Sequence, residues 1–250
     1  MNCYREFAHI YDDLINDDIN YKKWSNTIIN ICNELNIDKD NYLDLACGTG
    51  NLTLELASNF KSIWAVDLSY DMLTEAENKF RNHKIKSKFI CQDICDLNLN
   101  KKFNLITCCL DSVNYILDKN KLESFFKNVY NHLEDDGIFI FDINSYYKLS
   151  EVLGNNLFNY DDENITYIWE NYLEDDIVQM NISFFINKED NIYFRFDEEH
   201  KERAYKKEEI EDIIKNKGFK IVKLLDSYEE KKIIDKTERI VFVIVKNKLF

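Results

Sequence analysis

Apolar residues follow two different periods along the chain and divide it into three kinds of segment. Up to residue 40 they recur every three or four positions, as on one face of a helix. Over 41–149, and again over 204–250, short apolar runs alternate with amphipathic helical stretches. Between 150 and 203 apolar and polar residues alternate one by one, which is typical of half-buried strands.

The alternating stretches predict a doubly wound α/β sheet. Their apolar runs are continuous, as expected for parallel strands that helices cover on both faces. Five such strands are expected before residue 145, and two closing strands near 220–225 and 239–245 could pair antiparallel at the sheet edge. The predicted fold class is therefore a Rossmann-like α/β core over 41–149 and 204–250.

Two segments lie outside this core. Residues 1–40 predict an N-terminal helical cap, with an aromatic stripe that includes Tyr11 and a second stripe that begins at Trp24. Residues 150–203 predict an inserted antiparallel meander of three strands, acting as a lid. The meander is also a surface through which two copies of the chain could pair as a homodimer.

Glycine is scarce, and its positions are therefore informative. The chain has five glycines and no proline, and Gly48 and Gly50 lie between a predicted strand and a predicted helix. Glycine permits positive φ and close approach of a ligand, and a helix N-terminus offers free N–H groups. The loop predicts a nucleotide-type ligand, but Thr53 replaces the third glycine of the dinucleotide fingerprint and the P-loop lysine is absent.

Acidic residues follow four consecutive predicted strands. They are Asp44, Asp67, Asp93 and Asp111. Carboxyl ends of parallel strands form the ligand cleft of such sheets. At these positions Asp67 can accept both hydroxyls of a ribose, and Asp93 can accept from an adenine amino group.

These motifs together resemble those of a known enzyme family. The resemblance rests on Leu43-Asp44-Leu45-Ala46-Cys47-Gly48-Thr49-Gly50, Val66-Asp67-Leu68-Ser69, Gln92-Asp93-Ile94, the Leu133–Phe139 segment and Gly218-Phe219. The chain resembles the class I S-adenosylmethionine-dependent methyltransferases over about 40–145 and 205–248, in particular the members that act on small molecules. The family implies a seven-stranded sheet whose last strand is antiparallel.

The resemblance also implies a role for individual residues. The Gly48–Gly50 loop would lie alongside the methionine part of S-adenosylmethionine, with Asp44 near its ammonium group. Asp67 would hold the ribose, Leu68 would pack on the adenine, and Asp93 with the Ile94 backbone would read its edge. The remaining expected cofactor contacts are Ala46, Cys47 and Leu110, together with Tyr11 and Trp24 from the cap. Ala46 replaces a glycine of the commonest family pattern.

Methyl transfer to an amine or hydroxyl requires a base that takes a proton. The candidate catalytic residues are Asp111 and Asn114-Tyr115 after the fourth strand, Asn144 after the fifth, and His200 with Arg203 and Tyr205 where the meander rejoins the core. The seven cysteines match no zinc spacing, so no metal site is predicted.

Charge and hydropathy limit the remaining classes of function. A net charge of -14 disfavours a nucleic-acid substrate. The absence of a signal-like or membrane-spanning segment favours the cytoplasm. The predicted function is methyl transfer to a small molecule. Methylation of tRNA or protein, a nicotinamide-dependent oxidoreductase and a non-catalytic ligand-binding module remain the alternatives.

Overall fold

The computed structural model describes residue 12 and residues 19–189 and 192–248. Tyr11, predicted to cover the cofactor, lies outside the described residues. In the described ranges the α-helices are Tyr21–Glu34 (α1), Asn51–Ala57 (α2), Tyr70–Asn82 (α3), Lys119–His132 (α4) and Lys207–Asn216 (α5). The strands are Asn41–Leu45 (β1), Ser62–Asp67 (β2), Lys88–Cys91 (β3), Phe103–Cys108 (β4), Leu133–Asn144 (β5), Leu157–Asp161 (β6), Ile165–Glu174 (β7), Ile177–Glu189 (β8), Ile192–Arg203 (β9), Phe219–Asp226 (β10) and Arg239–Lys246 (β11).

Seven strands form the central sheet, in the order β10-β11-β5-β4-β1-β2-β3. Strand β11 is antiparallel to both of its neighbours, β10 and β5. The pairs β1–β2, β1–β4, β2–β3 and β4–β5 are parallel. The predicted Rossmann-like sheet with an antiparallel last strand is thus confirmed.

Local capping explains where several helices begin. The side chain of Asn20 accepts from Lys23 N at 2.9 Å at the start of α1. Ser69 accepts from Met72 N at 3.3 Å at the start of α3, as its sequence position predicts. Each cap fixes the direction in which the chain leaves the preceding loop.

Gly137 corrects one local prediction. The sequence suggests a left-handed turn there after a helix, but α4 ends at His132 and Gly137 lies inside β5. A Cβ at this position would lie 3.0 Å from the carbonyl oxygens of Phe103 and Asn104. Glycine is therefore required by close packing between β5 and β4.

The second sheet is larger than the sequence predicts. It has four antiparallel strands in the order β6-β7-β8-β9, and β8 and β9 reach 13 and 12 residues. The prediction of three strands was wrong because β6 is an exposed edge strand with no regular apolar alternation. In the chain, this sheet lies between β5 and α5.

One face of the second sheet packs on the core. Val178 and Met180 contact Leu149 and Leu153, which lie on a short π-helix after β5. Farther along β8, Phe184 packs on Met72 of α3. The sheet therefore crosses over the carboxyl ends of the core strands. Within the described ranges, each helix is too short or too polar to cross a lipid bilayer.

Candidate active site

The Gly48–Gly50 loop adopts the backbone conformation that its glycines permit. Gly48 and Gly50 have φ of 54° and 75°, and Gly50 is the N-cap of α2. A Cβ on Gly48 would meet no protein atom within 4 Å, whereas one on Gly50 would lie 3.2 Å from the Cβ of Ala76. Gly48 thus leaves room on the cavity side, and Gly50 permits α3 to pack closely.

Asp67 is held by backbone N–H groups of two loops. Its Oδ2 accepts from Gly48 N at 2.7 Å, and its Oδ1 accepts from Ser69 N at 2.8 Å. Burial raises the pKa of this carboxyl, although these N–H groups lower it in part. The carboxylate is therefore fixed at the end of β2, where it lines the cavity.

Asp44 lies deeper, on β1. It is 3% exposed and accepts from the hydroxyls of Thr53 at 2.5 Å and Thr107 at 2.6 Å. Burial raises its pKa to about 6 in spite of these bonds. A cationic group bound beside it would favour the ionised form.

Asp93 and Ile94 lie at the end of β3. The Oδ1 of Asp93 accepts from Cys95 N at 2.8 Å and caps a single 3₁₀ turn. Its Oδ2 lies 3.9 Å from the Nζ of Lys121. Both Asp93 and Ile94 line the same cavity as Asp67.

The loop after β4 is held by a buried charge network that sequence reasoning missed. Leu110 and Asp111 both have positive φ, and their N–H groups donate to Asp142 at 2.9 and 2.8 Å. Asp142 is fully buried and also accepts from the guanidinium of Arg239 and, at 2.6 Å, from the hydroxyl of Tyr228. Asp111, a candidate base, is itself engaged by a cation, because its Oδ1 accepts from the same guanidinium of Arg239 at 2.7 Å.

Asp12 contacts the glycine loop and α3. Its Oδ1 accepts from Thr49 Oγ1 at 2.6 Å and from Asn51 Nδ2 at 2.8 Å. Its Oδ2 lies 2.7 Å from the Nζ of Lys79 on α3. These bonds lower the pKa of the Asp12 carboxyl, although burial acts against them. These contacts of Asp12 are not predictable from the local sequence, because its partners are 37 to 67 residues away.

The second sheet closes the other side of the cavity. The cavity has a volume of about 830 Å³ and extends from the glycine loop to the inner face of β7, β8 and β9. Its lining on that side includes Trp169, Met180, His200 and Glu202. Burial lowers the pKa of His200 to about 4, so its ring is neutral at pH 7.

The structure brings most of the predicted site residues together at this cavity. Its lining includes Asp44, Ala46, Cys47, Gly48, Asp67, Leu68, Asp93, Ile94, Leu110, Asp111 and His200.

Other predicted site residues are absent from this lining and contact other parts of the protein. Gly50 packs on α3 as described above, and the ring of Trp24 stacks on Tyr228 at a centroid distance of 4.1 Å. The hydroxyl of Tyr205 donates to the carbonyl of Ile116. Asn114 bonds to the backbone of Asn144 and Arg203; its Nδ2 donates to their carbonyls at 3.1 and 3.0 Å.

The side chains that line the cavity fit S-adenosylmethionine. Its sulfonium and ammonium groups are cations, and the cavity presents the carboxyl groups of Asp44, Asp67 and Asp93. The exposed side chain of Leu68 offers an apolar surface beside Asp67. In the described part of the chain, no three His, Cys, Asp or Glu side chains are grouped as a metal site would require.

Comparison with known proteins agrees with this geometry. Residues 43–137 match a family model described as a methyltransferase domain. The chain is 33% identical over 250 residues to YqeM of Bacillus subtilis (strain 168), a protein named as a methyltransferase. The match covers 98% of each of the two chains.

Solved structures give the same result. An S-adenosylmethionine-dependent methyltransferase from Clostridium acetobutylicum ATCC 824 is 58% identical, with a TM-score of 0.92 over 98% of this chain and 99% of that one. S-adenosylmethionine-bound CalS10 from Micromonospora echinaspora, an amino pentose methyltransferase, is 14% identical and shares the fold, with a TM-score of 0.78 over 98% of this chain and 99% of that one. The cleft of carboxylates, the glycine loop and these relatives show that the chain belongs to the class I S-adenosylmethionine-dependent methyltransferases.

Proposed function

We propose that this methyltransferase acts on a small molecule that enters the cavity between the two sheets. The observation that carries the proposal is the cavity itself. Its volume of about 830 Å³ lies within the range of small-molecule sites, roughly 300–1,000 Å³. The cofactor loops form one side of it and the inner face of the second sheet forms the other, so an acceptor on that face would lie beside the cofactor.

Different segments of the chain have different roles in this proposal. Residues 41–149 and 204–250 supply the cofactor loops, and 150–203 act as a lid that supplies acceptor contacts. In the N-terminal cap, residues 1–40, Asp12 fastens the chain over the glycine loop through Thr49 and Asn51. S-adenosylmethionine supplies a methyl group on a positively charged sulfur, and the protein orients the acceptor and excludes water around it.

Two features favour a small molecule over tRNA or a protein. The net charge of -14 repels a phosphate backbone. Much of the inner face of the lid is apolar and aromatic, with Tyr167, Trp169 and Phe184 among the lining residues. CalS10 is named for a small acceptor, an amino pentose. Because its identity to this chain is low, the likeness supports a shared fold only.

Pairing of two copies through the lid is the second part of the proposal. The outer face of the second sheet exposes Ile168, Tyr172 and Tyr193. Burial of such side chains in a symmetric contact would stabilise a dimer. Light scattering should give the mass of a dimer, and an Ile168→Ser, Tyr172→Ser double variant should give that of a monomer. A monomeric wild-type protein would refute this part.

The experiment that tests the main function compares acceptor classes. The protein is incubated with S-adenosylmethionine and, separately, with a cell extract fraction below about 1 kDa, bulk tRNA or denatured protein, and S-adenosylhomocysteine is measured. We expect product only with the small-molecule fraction. Product with tRNA or with protein would contradict the proposal and would identify that macromolecule as the class of acceptor. Cofactor binding without product from any fraction would favour a non-catalytic role.

A further inference from the structure

Two polar side chains meet beneath the second sheet, on the side of the cavity away from the glycine loop. Asn144 ends β5, and Glu202 lies near the end of β9. The Nδ2 of Asn144 donates to an Oε atom of Glu202 at 2.9 Å. They are 4% and 3% exposed, and both line the cavity. The pair is therefore buried in protein yet open to a ligand.

The other end of the Asn144 amide has no hydrogen-bond partner. Its Oδ1 is buried and unbonded among the described residues. Because the Nδ2 is directed at Glu202, this oxygen can only accept, and an ionised Glu202 can only accept as well. A buried acceptor left unpaired destabilises the folded protein, because it has lost its hydrogen bonds to water and gained none in return. The group that completes this site is therefore a hydrogen-bond donor.

The charge around Glu202 favours a donor that is a cation. Burial and the nearby charge of Asp111 raise the pKa of Glu202, and they outweigh the opposite effects of the Asn144 hydrogen bond, Lys148 and Arg239. His200, on the same strand, has a lowered pKa and is neutral at pH 7, so it adds no positive charge beside Glu202. A bound ammonium would supply that charge and favour the ionised form of Glu202.

The surrounding rings favour the same chemistry. Tyr115 and Trp169 line this side of the cavity with Glu202. The faces of such rings attract a cation, and most strongly when the cation is desolvated. The Nε1 of Trp169 is a buried donor with no partner among the described residues. An oxygen acceptor elsewhere on the ligand would satisfy it.

We propose that the methyl acceptor is a small amine, bound as an ammonium by Glu202 and Asn144, and that Glu202 takes its proton before transfer. This inference rests on the proposed small-molecule function and specifies its substrate class. One N–H bond of the ammonium breaks, and the proton moves to a carboxylate oxygen of Glu202. The nitrogen lone pair then bonds to the methyl carbon as the carbon–sulfur bond breaks and its electron pair stays on sulfur. The product is a methylated ammonium, and Glu202 releases its proton to solvent.

A binding experiment tests this without turnover. Thermal unfolding of the wild-type protein is followed with saturating S-adenosylhomocysteine and then with cyclohexylamine, cyclohexanol or cyclohexanecarboxylate added. We expect the amine to raise Tm further and the other two to have little effect. Glu202→Gln should still be stabilised by S-adenosylhomocysteine and should lose the amine effect. The exposed Glu199→Gln on the same strand is the matched control and should keep both effects.

The outcomes separate the two proposals. Failure of the wild type to bind S-adenosylhomocysteine would remove the basis of the proposed function itself. Binding of S-adenosylhomocysteine with no amine effect, with equal effects of the alcohol or carboxylate, or with an amine effect that survives in Glu202→Gln would overturn the amine proposal alone. Since Glu202→Gln is nearly isosteric and S-adenosylhomocysteine binding reports its folding, loss of structure is detected in the same assay.

Discussion

A terminal nitrogen of Arg239 lies 2.7 Å from a carboxylate oxygen of Asp111, although 128 residues separate them in the chain. The same guanidinium also bonds to Asp142, so the antiparallel strand β11 fixes the loop after β4. The Arg239 side chain is only 10% exposed. The positions of two cavity-lining residues, Leu110 and Asp111, therefore depend on a strand that is not itself part of the lining described above.

Arg239→Met should destabilise the protein strongly. Removing one partner of a buried ion pair leaves the other charges uncompensated, at a cost of about 3–5 kcal/mol. Urea unfolding measures this free energy. Arg81→Met, which removes an exposed ion pair to Glu77, is the control and should cost less than about 0.5 kcal/mol. Equal losses in both variants would contradict a structural role for the Arg239 network.

Gly48→Ala and Gly50→Ala should have different effects. Both place an alanine at positive φ, which costs about 1–2 kcal/mol of stability. At Gly50 the Cβ also crowds Ala76, so this variant should be the less stable one. At Gly48 the Cβ meets no protein atom and would occupy the cavity side. We expect Gly48→Ala to lose S-adenosylhomocysteine affinity more than Gly50→Ala, as measured by calorimetry. The reverse order would mean that the cofactor lies elsewhere.

Asp12→Asn should weaken cofactor binding modestly while the fold stays intact. The variant removes the charge that faces Lys79, in a pair that is partly exposed. Such a pair contributes about 1 kcal/mol, or about a fivefold change in Kd. Asp40→Asn removes an exposed pair to Lys61 and should leave the S-adenosylhomocysteine Kd unchanged. If both variants bind alike, the N-terminal segment does not stabilise the loop.

His200 should make stability depend on pH in a defined window. Its pKa is lowered to about 4 in the folded protein, below the ordinary value of about 6.5. Between these values the unfolded chain binds a proton that the folded protein does not. The free energy of unfolding therefore decreases, through His200, as pH falls from about 6.5 to 4.

The comparison with His200→Gln isolates this effect. Asp44, whose pKa is raised to about 6, acts with the opposite sign between about pH 4 and 6 and is present in both proteins. The difference in unfolding free energy between wild type and variant should therefore shift against the wild type on acidification from pH 7 to 5. A constant difference would show that the His200 pKa is ordinary.

The sequence predicted the features that depend on neighbours in the chain. The strand–loop–helix at Gly48 and the strand-end carboxylates follow from local periodicity and turn chemistry, and they locate one side of the cavity. Trp24 fits its helical stripe equally well as a core residue, and its ring indeed stacks on Tyr228. A helical period alone does not distinguish a buried contact with protein from one with a ligand.

The features that were missed depend on pairing between distant segments. Glu202 reaches Asn144 only because β9 pairs with β8 and returns to the end of β5, a contact across 58 residues. Arg239 reaches Asp111 only through the register of β11 on β5. Periodicity identifies the two faces of a strand, but it does not specify which distant side chain lies opposite.

The position of the second sheet in the chain has an evolutionary consequence. It begins after β5 and rejoins the core before α5, so a single continuous stretch of gene encodes β6 to β9. Replacement of that stretch would exchange the second sheet's side of the cavity and leave the glycine loop and the strand-end carboxylates in place. New acceptor preferences could therefore arise by recombination at two points, without renewed selection for cofactor binding.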